Sequence, residues 1–210
     1  MTLLPRPDVR TQRRLTRAMQ VLLVAIIAWG VLAGQPKAII NGSLALAITF
    51  APAILERNYG IPLDPWLGLW ITAAVFLHTM GSASLYATLD WWDHLTHAMS
   101  ASLVAAVGYT AARAIDLHSD EIRIPKRFYF VYVLVVVLAF GVIWELFEFG
   151  LDIAAESTGI EMPLSQLGLD DTVRDLIFNS VGAMVVATFG QAHLTGVAET
   201  VRESLLNEEP

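Results

Sequence analysis

Six long stretches of this chain contain no Asp, Glu, Lys or Arg. They cover residues 18–36, 38–55, 66–89, 95–112, 128–144 and 176–198, and they are 19, 18, 24, 18, 17 and 23 residues long. A bilayer core asks for about 20 apolar residues per helix, within a range of about 17–25. Lipid offers no partner to an open backbone, and such runs are too long for barrel strands, so each reads as a helix. Six of them in 210 residues leave room for little else. The expected fold is all-α, a polytopic membrane protein with six transmembrane helices. The expected spans are 18–35, 38–55, 66–87, 93–113, 128–150 and 172–194. Residues 1–17 then form a basic cytoplasmic segment, 18–195 the membrane domain, and 196–210 an acidic cytoplasmic tail. Gly81, Ser82 and Ser84 interrupt the third run, so its helix could end early and leave a short re-entrant piece before Asp90.

Composition agrees with this reading and excludes several others. Apolar residues make up 55% of the chain and charged residues 16%, against about 45–50% and about 25% in soluble domains. The net charge of −7 argues against a nucleic-acid partner, which calls for a basic surface. The absence of cysteine removes disulfides, thiolate metal sites and a cysteine nucleophile. Arg6, Arg10, Arg13, Arg14 and Arg17 precede the first run in the manner of a signal peptide. That run is longer than a signal core and five more spans follow, so we read it as an uncleaved helix.

The basic residues set an expected orientation. The N-terminal segment carries five Arg; alternate loops carry Arg57 and then Arg113, Arg123, Lys126 and Arg127; the C-terminal tail carries Arg202. The opposite side has only Lys37 and Arg174. Both termini are therefore expected in the cytoplasm, in the plasma or inner membrane. Asp90, Asp93, Glu145, Glu148, Asp152, Glu156, Glu161, Asp170, Asp171 and Asp175 gather on the outer side.

Three helix ends carry a polar stripe on that side. The fourth helix opens with Asp90, Asp93, His94 and His97, spaced to share one face. The fifth closes with Glu145, Glu148 and Asp152, and the sixth opens with Asp171, Asp175 and Asn179. Capping and the helix dipole account for an acid at a helix start, such as Asp90 or Asp170. They do not account for Asp175 and Asn179, one and two turns further in, and they work against acids at a helix C-terminus. An acid at membrane depth costs a few kcal/mol unless it is paired, protonated or wet. A proton, His94 or His97, Arg174 or a metal ion could compensate.

Other residues have simpler explanations. Trp91 and Trp92 read as interfacial anchors, and so do Phe128, Tyr129, Phe130 and Tyr132 at the other boundary. His78 lies inside the third span, either as a core residue or as a donor to the acids. Ala98, Ser102, Ala105 and Ala106 on the fourth helix, and Gly182, Ala183, Ala187 and Gly190 on the sixth, suit close helix packing.

The segments Asp90-Trp91-Trp92-Asp93-His94-Leu95-Thr96-His97, Trp144-Glu145-Leu146-Phe147-Glu148-Phe149 with Asp152, and Asp171-Thr172 with Asp175 to Gly182 resemble the YjdF-like family of small polytopic membrane proteins. The resemblance runs roughly from Pro52 to Gly190. It implies that the three stripes form one site, and it brings no established reaction. The shorter pattern of Asp93, His97, an acidic helix end, Asp175, Asn179 and Gly182 also resembles VanZ-like proteins, linked to glycopeptide resistance and the cell envelope. Here the acidic end reads Trp-Glu-x2-Glu, where the VanZ-like pattern has Asp-Glu-x2-Gln.

The expected site is a divalent-metal centre acting on a lipid-linked or envelope substrate. Its candidate ligands are Asp93, His94, His97, Glu145, Glu148, Asp152, Asp171 and Asp175, with His78, Asp90 and Asn179 beside them. Carboxylates with an amide suit Mg²⁺, Mn²⁺ or Ca²⁺, and two imidazoles with carboxylates suit Zn²⁺. The chain has no P-loop, dinucleotide turn, nucleophile elbow or His-Glu-x2-His motif. Two other readings stay open. One is proton- or cation-coupled transport, which uses intramembrane acids and histidines. The other is a structural subunit or scaffold of a membrane complex, or a homo-oligomer, locked by the polar cluster.

Overall fold

The structure is a computed structural model that describes residues 7–61, 63–119, 121–159 and 168–206. Arg6, Glu161 and the last four residues of the tail lie outside the described residues. Every described element is helical, and six helices are long and apolar enough to cross a membrane: Val9–Ala33, Pro36–Asn58, Pro65–Leu85, Asp90–His118, Arg127–Thr158 and Leu169–Phe189. The chain divides into two compact units, Met1–Ser84 and Leu85–Pro210.

In the first unit, α1 (Val9–Ala33) starts well before the charge-free run. Asp8 explains the early start. Its carboxylate accepts from the Thr11 backbone N–H at 3.0 Å and from the Thr11 hydroxyl at 2.7 Å, closing the helix N-terminus. The charge-free run thus marks the stretch free of charges, not the helix itself. Gly34, at φ 62°, ends α1 in the left-handed region that glycine occupies without strain. The next span is broken. α2 (Pro36–Ile48) and α3 (Ala51–Tyr59) are separated at Thr49 and Phe50. Pro52 has no N–H to donate to the Ile48 carbonyl, so the regular ladder lapses there. Across the break the Gln20 side-chain amide donates to the Thr49 hydroxyl at 3.0 Å, which satisfies both groups within apolar surroundings. α1 and α2 meet closely at Gly42, where a Cβ would come within 2.8 Å of Ile27. α4 (Pro65–Met80), capped by Asp64, packs on both. Gly81, Ser82 and Ser84 do not end its span. They form a single π turn, Gly81–Leu85, that prolongs it.

The second unit contains α5 (Asp90–His118), α6 (Lys126–Thr158), α7 (Leu169–Val185), a π turn (Val186–Gly190) and α8 (Gln191–Leu206). α5, α6 and α7 pack against one another pairwise. α5 and α7 run parallel and α6 antiparallel, so the starts of α5 and α7 lie beside the end of α6. The small-residue stripes set the α5–α7 spacing. A Cβ on Gly182 would collide with the Ala98 carbonyl, so the two backbones touch there. The chain after the sixth span differs from a solvated tail. Residues 196–206 belong to α8, which packs on α5 and buries Leu194 and Ala198.

Tyr129 also departs from its reading as an interfacial anchor. It is buried, tilts against the Tyr109 ring at 5.3 Å, and donates its hydroxyl to Asp116 at 2.9 Å. Asp116 also accepts from the Ile124 backbone N–H at 2.7 Å and pairs with Arg113. This group ties the α5–α6 connection to the ends of both helices.

Candidate metal centre

Asp93 sits in the first turn of α5, where the helix dipole favours its charge. His97 follows one turn later on the same face. Asp175 lies one turn inside α7 and is only 2% exposed. The His97 Nε2 atom stands 3.6 Å from an oxygen of Asp93 and 3.6 Å from Oδ1 of Asp175. One ligand atom from each of the three residues can be chosen so that all lie within 4.8 Å of one another. Asp175 Oδ1 is buried and accepts no hydrogen bond. A buried carboxylate oxygen without a donor is costly unless a cation or a proton meets it. Two carboxylate oxygens and one imidazole nitrogen converging in this way are a donor set for a divalent cation.

The α6 acids lie beside this group. Glu145 and Glu148 are 5% and 8% exposed. The Thr172 hydroxyl, from α7, donates to Glu145 Oε2 at 2.8 Å, and the Trp144 indole donates to Glu148 Oε1 at 3.0 Å. Thr172 and Asp175 are three residues apart and share a helix face, so Glu145 is held within about one turn of Asp175. The other end of this seam is fixed by Gly141, where a Cβ would come within 3.0 Å of the Asn179 amide nitrogen. Asp171 is half-buried and lies within electrostatic reach of Glu148 and Asp175.

The remaining candidates are not part of the Asp93–His97–Asp175 group. His94 stacks on Phe178, with ring centres 4.2 Å apart and planes 12° apart, so its ring packs the α5–α7 seam. Asp90 is exposed at the first position of α5, and Asp152 is half-buried near the end of α6. Asn179 is buried two turns inside α7. His78 lies on α4, in the first unit. Two residues not singled out from the sequence join the site. Thr172 anchors Glu145, a role that its place near a helix start did not signal. Tyr86, in the turn before α5, places its hydroxyl 3.1 Å from that of Thr96 and within electrostatic reach of Asp93, Glu148 and Asp175. Thr96 in turn donates to the Asp93 carbonyl at 2.8 Å, which ties the turn to the first turn of α5.

Comparison with known proteins gives the following. A family profile described as "Predicted membrane protein (DUF2238)" matches residues 15–196. A Thermotoga maritima protein, described as uncharacterized, is 25% identical over 187 residues, covering 88% of this chain and 93% of its own length. No solved structure matches. Nothing in these findings supports the VanZ-like likeness.

Proposed function

The chain belongs to the DUF2238 family, the YjdF-like predicted membrane proteins, and on that premise we propose that it holds a divalent cation at the membrane boundary. The observation that carries this reading is the Asp93–His97–Asp175 group, with its buried Asp175 oxygen lacking any hydrogen-bond donor. The mixed nitrogen and oxygen set suits Zn²⁺ or Mn²⁺ better than Mg²⁺ or Ca²⁺, which favour oxygen alone. A cation there lowers the pKa of a bound water and polarises a phosphoryl or carbonyl oxygen.

The charge asymmetry of the loops supports a plasma- or inner-membrane protein with both termini in the cytoplasm. The site then faces outward, at the ends of α5, α6 and α7. Half-exposed Trp91 and Trp144 lie in the same turns as the acids and suit the headgroup level of a bilayer. A substrate of this site is lipid-linked or part of the envelope, with its reacting group at that level.

The test is elemental analysis of the full chain purified in a mild detergent. The expected result is stoichiometric metal in the wild type, retained in His94→Ala and lost in His97→Ala. Wild-type protein that carries no metal and gains no thermal stability from Zn²⁺ or Mn²⁺ would sink the reading. The hydrogen bonds from Thr172 and Trp144 favour a second reading, a polar lock in a membrane scaffold. On that reading the wild type is equally stable with and without metal ions, and Asp93→Ala, His97→Ala and Asp175→Ala each destroy folding or assembly.

A further inference from the structure

The start of α5 carries two of the three candidate ligands, Asp93 and His97, on a helix end with weak local support. Its N-cap is Leu89, which makes no side-chain cap bond. A first turn without such a cap leaves backbone N–H groups open and frays. The turn that precedes the helix supplies a substitute. The Leu85 carbonyl accepts from the Thr88 and Leu89 N–H groups at 3.2 and 2.9 Å, which closes that turn. Tyr86 stands in it, half-buried, with its hydroxyl 3.1 Å from the Thr96 hydroxyl. Proton counting gives this bond a direction. A carbonyl only accepts, so Thr96 commits its single proton to the Asp93 carbonyl, at 2.8 Å. Tyr86 must therefore donate to Thr96.

The chain of bonds thus runs one way, from Tyr86 through Thr96 to the Asp93 carbonyl. The regular helix bond from the His97 N–H ends on that same carbonyl. One oxygen therefore joins the backbones of both α5 ligands, and Tyr86 pins it from outside the helix. Thr96 is 2% exposed, so water does not compete for its hydroxyl. Resting on the metal reading above, we propose that Tyr86 is a positioning residue of the centre: its hydroxyl, through Thr96, fixes the turn that carries Asp93 and His97 and so sets how tightly the cation is held. The same phenol lies within electrostatic reach of Asp93, Glu148 and Asp175, one from each of α5, α6 and α7. It keeps its proton at neutral pH, so it adds no charge to these acids. Groups that orient a ligand in this way tune affinity without touching the ion.

The experiment uses the full chain in detergent, stripped of metal, and titrates it with Mn²⁺ well below its melting temperature. Tyr86→Phe keeps the ring and removes the donor; Thr96→Val keeps the shape and removes the relay. Each should bind Mn²⁺ about 10–100-fold more weakly than the wild type, at unchanged stoichiometry. Tyr86→Phe added to Thr96→Val should bring no further loss, because both break the same chain of bonds. Thr96→Ser, which keeps the hydroxyl, should bind as the wild type does. If Tyr86→Phe does not fold, Thr96→Val against Thr96→Ser carries the test. Wild-type affinity in Tyr86→Phe overturns the positioning role and leaves the metal site standing, even where the metal-free protein melts lower, since that is packing alone. Losses that add in the double variant overturn the relay through Thr96. A wild type that binds neither Mn²⁺ nor Zn²⁺ overturns the metal reading, and this role with it.

Discussion

The Thr172 hydroxyl donates to Glu145 Oε2 at 2.8 Å, across the seam between α7 and α6. Both residues lie within helices long and apolar enough to span a membrane, at the ends that carry Glu148, Asp171 and Asp175. The bond therefore does two things: it supplies a donor to a buried carboxylate, and it fixes the height at which Glu145 faces α7. Replacing Thr172 with Val keeps the shape and removes the donor. A hydrogen bond to a charged group is worth about 1.5–3 kcal/mol. Thermal unfolding in detergent should show Thr172→Val destabilised on that scale, and Thr172→Ser close to wild type.

The contact between Gly182 and the Ala98 carbonyl allows no added carbon. Gly182→Ala forces α5 and α7 apart, and overpacking of this kind costs about 1–3 kcal/mol. His97 and Asp175 lie on the same seam, so the separation also opens the candidate centre. A lower melting temperature together with weaker Mn²⁺ binding is the expected pair of results. Unchanged stability would show that the helices do not meet there.

Asp116 accepts from Ile124, Tyr129 and Arg113 together. Asp116→Ala leaves the Tyr129 hydroxyl and the Ile124 N–H without that acceptor, at about 1–3 kcal/mol for each group that stays buried. The residue lies 19 positions beyond His97 on α5, about 28 Å away along the axis. Loss of stability without loss of metal is therefore expected, read by thermal unfolding and elemental analysis on the same samples.

Asp8 provides a pH dependence. Its bonds to the Thr11 hydroxyl and backbone hold the carboxyl below its ordinary value of 3.8. A depressed folded value means that the cap is at full strength above the unfolded value and fades as pH falls through and below it. Hydrogen exchange at the Thr11 amide should accelerate, relative to neighbouring amides, as pH drops below about 4. Asp8→Ala should show the faster exchange at every pH.

Much of this architecture is legible in the spacing of charges, because lipid excludes them over a fixed thickness. Helix ends are less so. α1 begins at Val9, nine residues before its charge-free run, because Asp8 caps it and arginines are good helix formers outside the lipid. Side-chain direction is harder still. His94 and His97 both lie near Asp93 in sequence, but His94 turns to Phe178 while His97 turns to Asp175. Tyr129 has the composition of a boundary anchor and the position of a core residue, which only the packing of α5 on α6 decides. The spacing of Asp93 and His97 puts them on one face of a helix start, but that Asp175 meets them depends on how α7 packs on α5. Thr172 was not legible, since a hydroxyl at a helix start is ordinary until its partner is known.

The convergence of α5, α6 and α7 on Asp175 also carries an order in time. Asp93 and His97 enter the bilayer with the fourth span, Glu145 and Glu148 with the fifth, and Asp175 only with the sixth. A chain made from its N-terminus therefore holds Asp93 and His97 in the membrane before their third partner arrives. The last span to insert is the one that completes the candidate group, so a chain stopped before α7 has Asp93 and His97 but not Asp175.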